Sequence, residues 1–395
     1  MNVVMKNSIA AMIPELTDWR RDFHRHPELL YDVPRTAGIV AQRLRAFGFD
    51  EVIEGIGETG VLGILHGRDG AASGQDQRVL LRADMDALPI LEASGAAHAS
   101  ETPGMMHACG HDGHTTMLLG AARHLAETRD FHGSLVFCFQ PAEEGGAGAK
   151  AMIDDGMLER FPVKGAYAIH NWPGIPVGEF GVVRGPAMAS AHGLTITVEG
   201  LGGHGAQPHR TRDPIVAAAH IITSVQTIVS RVIDPFDQAV VSITAIHGGE
   251  AFNVIPGTVE MKCGFRAFTP AVAQKIENEL RRICEKTAEA FGTTVTLRPK
   301  PHMPYPPTVN HDAETEIALG AMRAVVGEAS VRTDIRPSMG SEDFSFILNE
   351  VPGAYVFLGN GDTAALHNAA YDFDDEAIAY GVAYWVELAR RVLPA

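Results

Sequence analysis

The chain has 395 residues and a mass of 42.3 kDa; 46% of the residues are hydrophobic and 20% are charged, which is typical of a globular protein with more than one domain. Lysine and arginine number 32 against 48 aspartates and glutamates, and a net charge of −16 argues against a nucleic-acid partner, since phosphate binding requires a basic surface. The sequence shows neither a run of about 20 apolar residues nor a signal peptide, so we expect a cytoplasmic protein with no membrane partner.

The first half of the chain alternates between helical and strand-like segments. Apolar residues at helical spacing predict a helix over residues 9–24, and RTAGIVAQRLRAFGF predicts a second helix. Strands are predicted in GVLGILHG and RVLLRADMDAL, then a helix in HTTMLLGAARHLAE and strands in GSLVFCFQPAEE and GAYAIHNWP. This alternation favours an α/β domain whose mainly parallel sheet is covered on both faces.

The pattern changes near residue 188. From there the segments predict the order strand, helix, strand, strand, helix, strand, which is typical of an α+β ferredoxin-like domain. The proline-rich PKPHMPYPP predicts a hinge, after which helices and strands alternate again. We therefore predict a catalytic domain of residues 1–187 and 304–395, and an inserted domain of residues 188–303.

The densest group of potential metal ligands lies in MHACGHDGHT. It contains Cys109, His111, Asp112 and His114 in a short loop that leads into a helix. Thiolate and imidazole bind zinc and similar ions, and carboxylates extend the range to manganese and nickel. Taken alone, each histidine here is better explained by a place at a helix N-terminus or by a hydrogen-bonded position in the core than by metal binding; the cluster together with a strand that ends in paired glutamates points to a metal site.

Further acidic and imidazole side chains stand where predicted strands end. Glu143 and Glu144 follow GSLVFCFQ, His170 ends GAYAIH, and His367 follows GAYVFLGN. Because the carboxyl ends of strands in an α/β sheet open onto one crevice, we expect these side chains to converge. Adjacent carboxylates in a confined site raise each other's cost of ionisation unless a cation neutralises them. One glutamate is therefore expected to bind a metal ion and its neighbour to act on water.

Eight segments together carry a family resemblance: HRHPEL, LRADMDALP, HACGHDGHT, QPAEEG, GGHGAQPH, NVIPG, GSEDFS and LHN. They resemble the M20 metallopeptidase family over essentially the whole chain, in the amidohydrolase branch that includes hippurate hydrolases and indole-acetyl-amino-acid hydrolases. The resemblance implies a metal-dependent amidohydrolase that cleaves N-acyl amino acids into a carboxylic acid and a free amino acid. It also implies two divalent ions per subunit (zinc, manganese, nickel or cobalt) and a homodimer formed through the inserted domain.

The resemblance also implies roles for individual residues. Glu143 takes the position of the carboxylate that removes a proton from water and delivers it to the leaving amine. His204 matches the residue that stabilises the tetrahedral oxyanion, which in dimeric members comes from the other subunit. Asn253 and Arg266 match the residues that bind the substrate's α-carboxylate. The implied metal ligands are Cys109, His111, Glu144, His170 and His367.

One position departs from the wider family. Arg82, in LRADMD, stands where that family has a histidine two residues before the aspartate of its first metal motif. Arginine does not bind metal ions, so Cys109 is expected to compensate, as in this branch generally. Asp84 matches the aspartate and is expected to support the site without ligating an ion.

Three other functions stay open. The same site could serve a dipeptidase or carboxypeptidase, although no acidic partner for a free α-amine is identifiable in the sequence. Cys109 could be the nucleophile of a thiol hydrolase, with His111 or His114 as its base. The protein could also bind a metal or metabolite without catalysis, but the presence of Glu143 beside Glu144 argues against this, since storage requires no additional base.

Overall fold

A computed structural model of the chain describes residues 7–70 and 77–395, which form two compact units. The first unit comprises the chain up to Ala187 together with Val309–Arg336 and Asp343–Ala395. The second unit comprises Met188–Thr308 and Pro337–Glu342. The sequence predicts an inserted domain of residues 188–303; the second unit begins at the same residue, but it also includes the short later segment, which the sequence analysis did not anticipate.

The described residues contain α-helices and strands that alternate along much of the chain. The helices are α1 (Asn7–Arg25), α2 (Pro34–Ala46), α3 (His111–Thr128), α4 (Gly148–Asp154), α5 (Met157–Arg160), α6 (Pro214–Val225), α7 (Pro270–Ala290), α8 (Asp312–Val326), α9 (Phe344–Glu350) and α10 (Ala377–Val392). The strands are β1 (Glu51–Ile56), β2 (Gly60–His66), β3 (Arg78–Asp84), β4 (Ser134–Gln140), β5 (Gly165–Trp172), β6 (Phe180–Gly181), β7 (Gly185–Met188), β8 (Ser190–Glu199), β9 (Gly203–His204), β10 (Ala239–His247), β11 (Val254–Ile255), β12 (Thr258–Ala267), β13 (Thr294–Pro299), β14 (Thr308–Asn310), β15 (Val331–Arg332) and β16 (Gly353–Gly359).

The first unit is built on an eight-stranded sheet in the order β1-β2-β4-β3-β5-β16-β6-β15. The four central strands β4, β3, β5 and β16 are parallel to one another, whereas β1, β2 and β6 introduce antiparallel pairs. The residues of β4 and β16 are buried throughout, as expected of strands that are covered on both faces. This arrangement confirms the predicted α/β class with a mainly parallel sheet.

Three helices that are distant in sequence pack together in the first unit. Helix α3 packs against α1 and α10, and also contacts strand β3. Leu16 of α1 and Val382 of α10 approach Gly120 of α3 so closely that a Cβ there would lie 2.7 Å from each. The N-terminus of α3, which carries His111, is therefore held against the sheet by a rigid group of helices.

The second unit has a four-stranded antiparallel sheet in the order β10-β12-β8-β13, with the chain order β8-α6-β10-β12-α7-β13. Buried and exposed residues alternate along β12, so one face of the sheet forms a core. Residues of α6 and α7, among them Ile221 and Ile276, belong to that core. This is the predicted ferredoxin-like α+β arrangement.

One helical segment of the second unit is unusually apolar. Pro214–Val232, which includes α6 and a π-helical turn, is long and apolar enough to cross a membrane by length and composition alone. It is not a continuous apolar run, because it also contains polar residues such as His220, Thr223 and Gln226. Ala217, Ile221 and Val225 are buried in the core of the unit, and these contacts explain part of the apolar composition.

Candidate metal centre and active site

The parallel strands of the first unit bring several chemically active segments together. Strands β4, β3 and β5 are neighbours and run in the same direction, so their carboxyl ends lie at one edge of the sheet. Glu143 and Glu144 follow β4, and His170 lies near the end of β5. The N-terminus of α3 supplies His111, with Cys109 two residues before it. The predicted convergence of strand ends is present.

Five donor side chains lie close to one another at this edge. The Cys109 Sγ atom is 3.4 Å from His170 Nε2, and Glu144 Oε1 is 3.2 Å from His367 Nε2. His111 Nε2 is 4.0 Å from the same Glu144 oxygen. Three groups that could hold a metal ion are made of these donors and Glu143: Cys109, His111 and His170; Cys109, Glu144 and His367; and His111, Glu143 and Glu144. Two more groups lie beside them: Asp84, His111 and His114; and Glu143, Glu342 and Asp343. These groups share members, so donors from several parts of the first unit form one continuous cluster.

In two histidines, a hydrogen bond from Nδ1 leaves Nε2 available to bind a metal ion. His111 Nδ1 lies 2.7 Å from the backbone oxygen of Asp86, so Nδ1 carries the proton and donates it there. His111 Nε2 is buried and has no hydrogen-bond partner among the described residues. His170 Nδ1 similarly donates to the backbone oxygen of Asn171 at 2.6 Å, which leaves Nε2 directed at Cys109. Metal-binding histidines usually donate a hydrogen bond from the ring nitrogen that does not bind the ion, and this bond fixes the orientation of the ring.

The electrostatics of the site favour a cation. Burial raises the pKa of Cys109 well above its usual value, and the charges of Glu144, Glu143 and Asp84 raise it further. Burial lowers the pKa of His111, but the charge of Asp84 and contacts with Asp86 and Glu144 more than reverse this and raise it to about 10. Without metal, Cys109 and His111 therefore keep their protons, and a divalent ion would displace these protons when it binds.

Asp86 fixes the backbone of the paired glutamates, a role that the sequence analysis missed. Its two carboxylate oxygens accept hydrogen bonds from the backbone N–H groups of Glu143 and Glu144, at 3.0 and 3.1 Å. Ala142, just before them, has a left-handed backbone with φ of 55°. Glu143 is only 7% exposed, and its Oε1 accepts a hydrogen bond from the backbone N–H of Asp343 at 3.3 Å. The second aspartate of RADMD was the available signal for this clamp.

Arg82 and Asp84 form a buried network behind the donors. The Arg82 guanidinium donates to Asp84 at 2.7 Å, to Asp343 at 3.0 Å and to Gln140 at 2.8 Å. Although burial raises the pKa of Asp84, the charges of Arg82 and nearby histidines lower it well below its usual value. The other Asp84 oxygen accepts from His114 Nδ1 at 2.6 Å. Both oxygens of Asp84 thus have protein partners, and Asp84 also lies close enough to His111 and His114 to share an ion with them.

Two other residues of the predicted cluster are directed elsewhere. His114 Nε2 accepts a hydrogen bond from the backbone N–H of Asn171 at 3.0 Å, and its Nδ1 is bonded to Asp84. Asp112 Oδ2 accepts from His24 at 2.8 Å. Both side chains therefore pair with protein groups beside the donor cluster.

The residues expected to bind substrate belong to the second unit. His204 lies on β9 and pairs with Val254 of β11, and the adjacent Gly205 N–H donates to the backbone oxygen of Asn253 at 2.8 Å. His204 and Asn253 are thus neighbours on one short ribbon. Arg266 lies on β12 instead, where its guanidinium donates to Ser341 at 2.7 Å. Burial lowers the pKa of Arg266.

An α/β unit with clustered thiolate, imidazole and carboxylate donors at its strand ends, together with an inserted ferredoxin-like unit, defines the class of two-domain metallohydrolases. The chain belongs to that class through one family: residues 80–391 match the model of peptidase family M20/M25/M40. It is 40% identical to the hippurate hydrolase of Campylobacter jejuni, covering 97% of this chain and 99% of the relative. An N-acetylcysteine deacetylase of Bacillus subtilis is 37% identical, with 96% and 97% covered.

A solved structure extends the likeness to three dimensions. A dinuclear metal-binding peptidase of the M20 family from Bacillus subtilis superposes with a TM-score of 0.82 at 32% identity, covering 97% of this chain and 99% of that one. The predicted family, fold class and enzyme class, a metal-dependent amidohydrolase, are confirmed.

Proposed function

We propose that this protein hydrolyses the amide bond of N-acyl amino acids and releases a carboxylic acid and a free amino acid. The proposal rests on one observation: five donor side chains lie close together at one edge of the sheet. They are Cys109, His111, Glu144, His170 and His367. The named activities of two relatives, on hippurate and on N-acetylcysteine, support an N-acyl amino acid as the substrate.

The proposal assigns the metal ligands as Cys109, His111, Glu144, His170 and His367. Their mixture of thiolate, imidazole and carboxylate suits zinc, manganese, nickel or cobalt. When bound by these residues, two such ions would supply polarisation of the amide carbonyl and activation of water. The orientation of His111 and His170, each fixed through Nδ1 by a backbone oxygen, supports this assignment.

Glu143 is proposed as the proton carrier. Its carboxylate lies within reach of the donors of His111 and Glu144, and the backbone of Asp343 holds one of its oxygens. In this place Glu143 takes a proton from the attacking water and gives it to the nitrogen of the leaving amino acid. A single carboxylate then serves both halves of the reaction.

The second unit is proposed to bind the substrate. Arg266 carries a guanidinium that can pair with an α-carboxylate through two hydrogen bonds, and its partial burial strengthens such a pair. Asn253 would add an amide hydrogen bond. The backbone N–H of Ala206 donates to His204 Nδ1, so the Nε2–H of His204 remains the donor for a developing oxyanion.

We also propose a homodimer that forms through the second unit. The sequence of α6 and the following turn has no charged residue from Pro214 to Ser230. Ile215 and Val216 on this helix and Ile246 on the sheet-edge strand β10 are exposed apolar side chains. An uncharged edge strand beside an apolar helix face is suited to pairing with a second copy. A cytoplasmic location stays a prediction.

The thiol-hydrolase alternative is opposed by the chemistry of Cys109. A nucleophilic cysteine needs a pKa lowered by positive surroundings, whereas burial and the charges of Glu144, Glu143 and Asp84 raise the pKa of Cys109.

The peptidase alternative has support in the name of the family, which is a peptidase family. Comparison of substrates separates it from the proposal.

The proposal is tested by the matched variants Glu143→Gln and Glu144→Gln. Glu143→Gln should keep its bound metal and lose about 10²- to 10⁴-fold in kcat, the usual contribution of a proton-transfer group. Glu144→Gln should lose metal as well as activity. Hydrolysis of N-benzoylglycine, N-acetyl amino acids and unblocked dipeptides is compared by release of free amine at equal enzyme. Equal metal loss in both variants would contradict the division of roles, and faster turnover of dipeptides would favour the peptidase.

A further inference from the structure

The segment that carries His367 is irregular. It lies between β16 and α10, has no helix or strand over residues 360–376, and places His367 in the left-handed backbone region with φ of 63°. The His367 side chain is 53% exposed, in contrast to the buried His111 and His170. A ligand on such a segment reaches its ion with the correct geometry only if the segment is fixed by other contacts.

Two contacts tie this segment to residues adjacent to other donors. The His367 N–H donates to the backbone oxygen of Ala108 at 2.8 Å, next to Cys109. The hydroxyl of Tyr371, which is fully buried, accepts a hydrogen bond from the side chain of Asn171, next to His170. The irregular segment is therefore placed relative to both the Cys109 loop and strand β5.

A third tie comes from Arg20 on helix α1, outside the donor-bearing segments. Arg20 Nε donates to Asp375 at 2.7 Å, and Nη1 donates to Asp372 at 3.3 Å. The same Nη1 lies 3.6 Å from Asp112 Oδ2, on the residue that follows His111. Arg20 thus connects the His367 segment to the helix of His111, and it is fully buried while doing so.

The surroundings of Arg20 are specific to a guanidinium. His24, one turn further along α1, donates to the same Asp112 oxygen at 2.8 Å. His98 lies 3.2 Å from Arg20 Nη2 and 3.0 Å from Asp372. A planar guanidinium with five N–H donors can donate hydrogen bonds to carboxylates on three sides, which a lysine ammonium cannot do with the same geometry.

We propose that Arg20 is a positioning residue that holds the His367 segment against the N-terminus of α3, so that His367 meets Glu144 at the ion site. The inference rests on the proposed function, because it assumes that His367 binds an ion. It assigns a role to the segment WRRDFHRHPEL, whose residues contribute no donor to the metal cluster among the described residues.

The test measures metal binding directly in the metal-free protein. Wild type, Arg20→Gln and His367→Ala are each titrated with Mn²⁺ and, separately, with Zn²⁺ under equilibrium dialysis, and bound metal is counted. Wild type is expected to bind two ions. Arg20→Gln is expected to bind one ion as wild type does and the other about 10- to 100-fold more weakly, the usual effect of losing a group that orients a ligand.

Arg21→Gln is the matched control. Arg21 also pairs with Asp375, at 2.9 Å, but its side chain is 44% exposed. It should retain both ions at wild-type affinity. Asp372→Asn is the second variant in case Arg20→Gln does not fold, since Asp372 is 38% exposed on the surface of the segment. It should weaken one ion by about 10-fold, the lower end of the same range.

The outcomes separate this inference from the proposed function. Arg20→Gln or Asp372→Asn with two ions at wild-type affinity would overturn the positioning role, even if the melting temperature fell, because a purely structural role lowers stability without changing metal affinity. Equal weakening in Arg21→Gln would also overturn it. If His367→Ala retains both ions at full affinity, the ligand assignment itself fails, and the inference fails with it.

Discussion

Metal binding to this protein should release protons in a number that the structure specifies. Burial and the charges of Glu144, Glu143 and Asp84 raise the pKa of the Cys109 thiol, so this group is protonated in the metal-free protein at neutral pH. His111, with a pKa raised to about 10, also carries its extra proton. Because thiolate and neutral imidazole are the forms that bind metals, occupation of the site must displace both protons.

The magnitude follows from the linkage between pH and binding. Each displaced proton changes the binding free energy by about 1.36 kcal/mol per pH unit. Two protons therefore lower the combined affinity for the two ions by about 100-fold, or about 2.7 kcal/mol, when the pH falls from 8 to 7. Glu144 adds no proton to this count, since contacts with His367 and His111 lower its pKa despite burial.

Isothermal titration of Zn²⁺ in buffers of different ionisation enthalpy counts the released protons. Wild type should release at least two at pH 7, and Cys109→Ser should release one fewer. A water that ionises on binding contributes equally to both proteins, so the difference isolates the thiol. No net proton release in the wild type, or the same number in both proteins, would refute the reasoning.

Two further predictions concern the surroundings of the site. Burial lowers the pKa of His24, but its hydrogen bond to Asp112 helps to raise it to about 9, above its unfolded value of 6.5. His24 therefore stabilises the fold fully below pH 6.5 and loses this effect as the pH rises through 9. Urea unfolding measures the free energy of unfolding of wild type and of His24→Gln. The difference between the two values should decrease by up to about 3 kcal/mol between pH 6 and pH 10, and a difference that does not change with pH would contradict this. Gly110→Ala would place a Cβ 2.2 Å from Asn171 Oδ1 at a φ of 93°, so it should lower stability by about 1–3 kcal/mol in thermal unfolding, whereas Gly38→Ala, with no atom within 4 Å, should cause no loss.

The order of the elements could be predicted because the information is local. Continuous apolar runs such as SLVFCFQ form buried central strands, and the alternating pattern of TVEMKCGFRA forms a half-buried one. The donors could be placed for a related reason, since the carboxyl ends of parallel neighbours share one edge of a sheet. Glu143, Glu144 and His170 stand directly after or within such strands.

The supporting contacts could not be predicted because they join residues that are distant in the chain. Arg20 pairs with Asp372 and Asp375 across more than 350 positions, and neither end shows a distinctive pattern. His114 is a candidate base by its place in the sequence, yet its pairing with Asp84 depends on how α3 packs on β3.

The clamp on the backbone explains how two adjacent glutamates acquire different tasks. Asp86 accepts both of their N–H groups and so fixes the turn at this point, and the two side chains leave the turn in different directions. Glu144 is directed at His367, and Glu143 at the backbone of Asp343, whose carboxylate is in turn held by Arg82. The proposed division between an ion-binding carboxylate and a proton-carrying one is therefore supported by the different directions in which this backbone holds the two side chains.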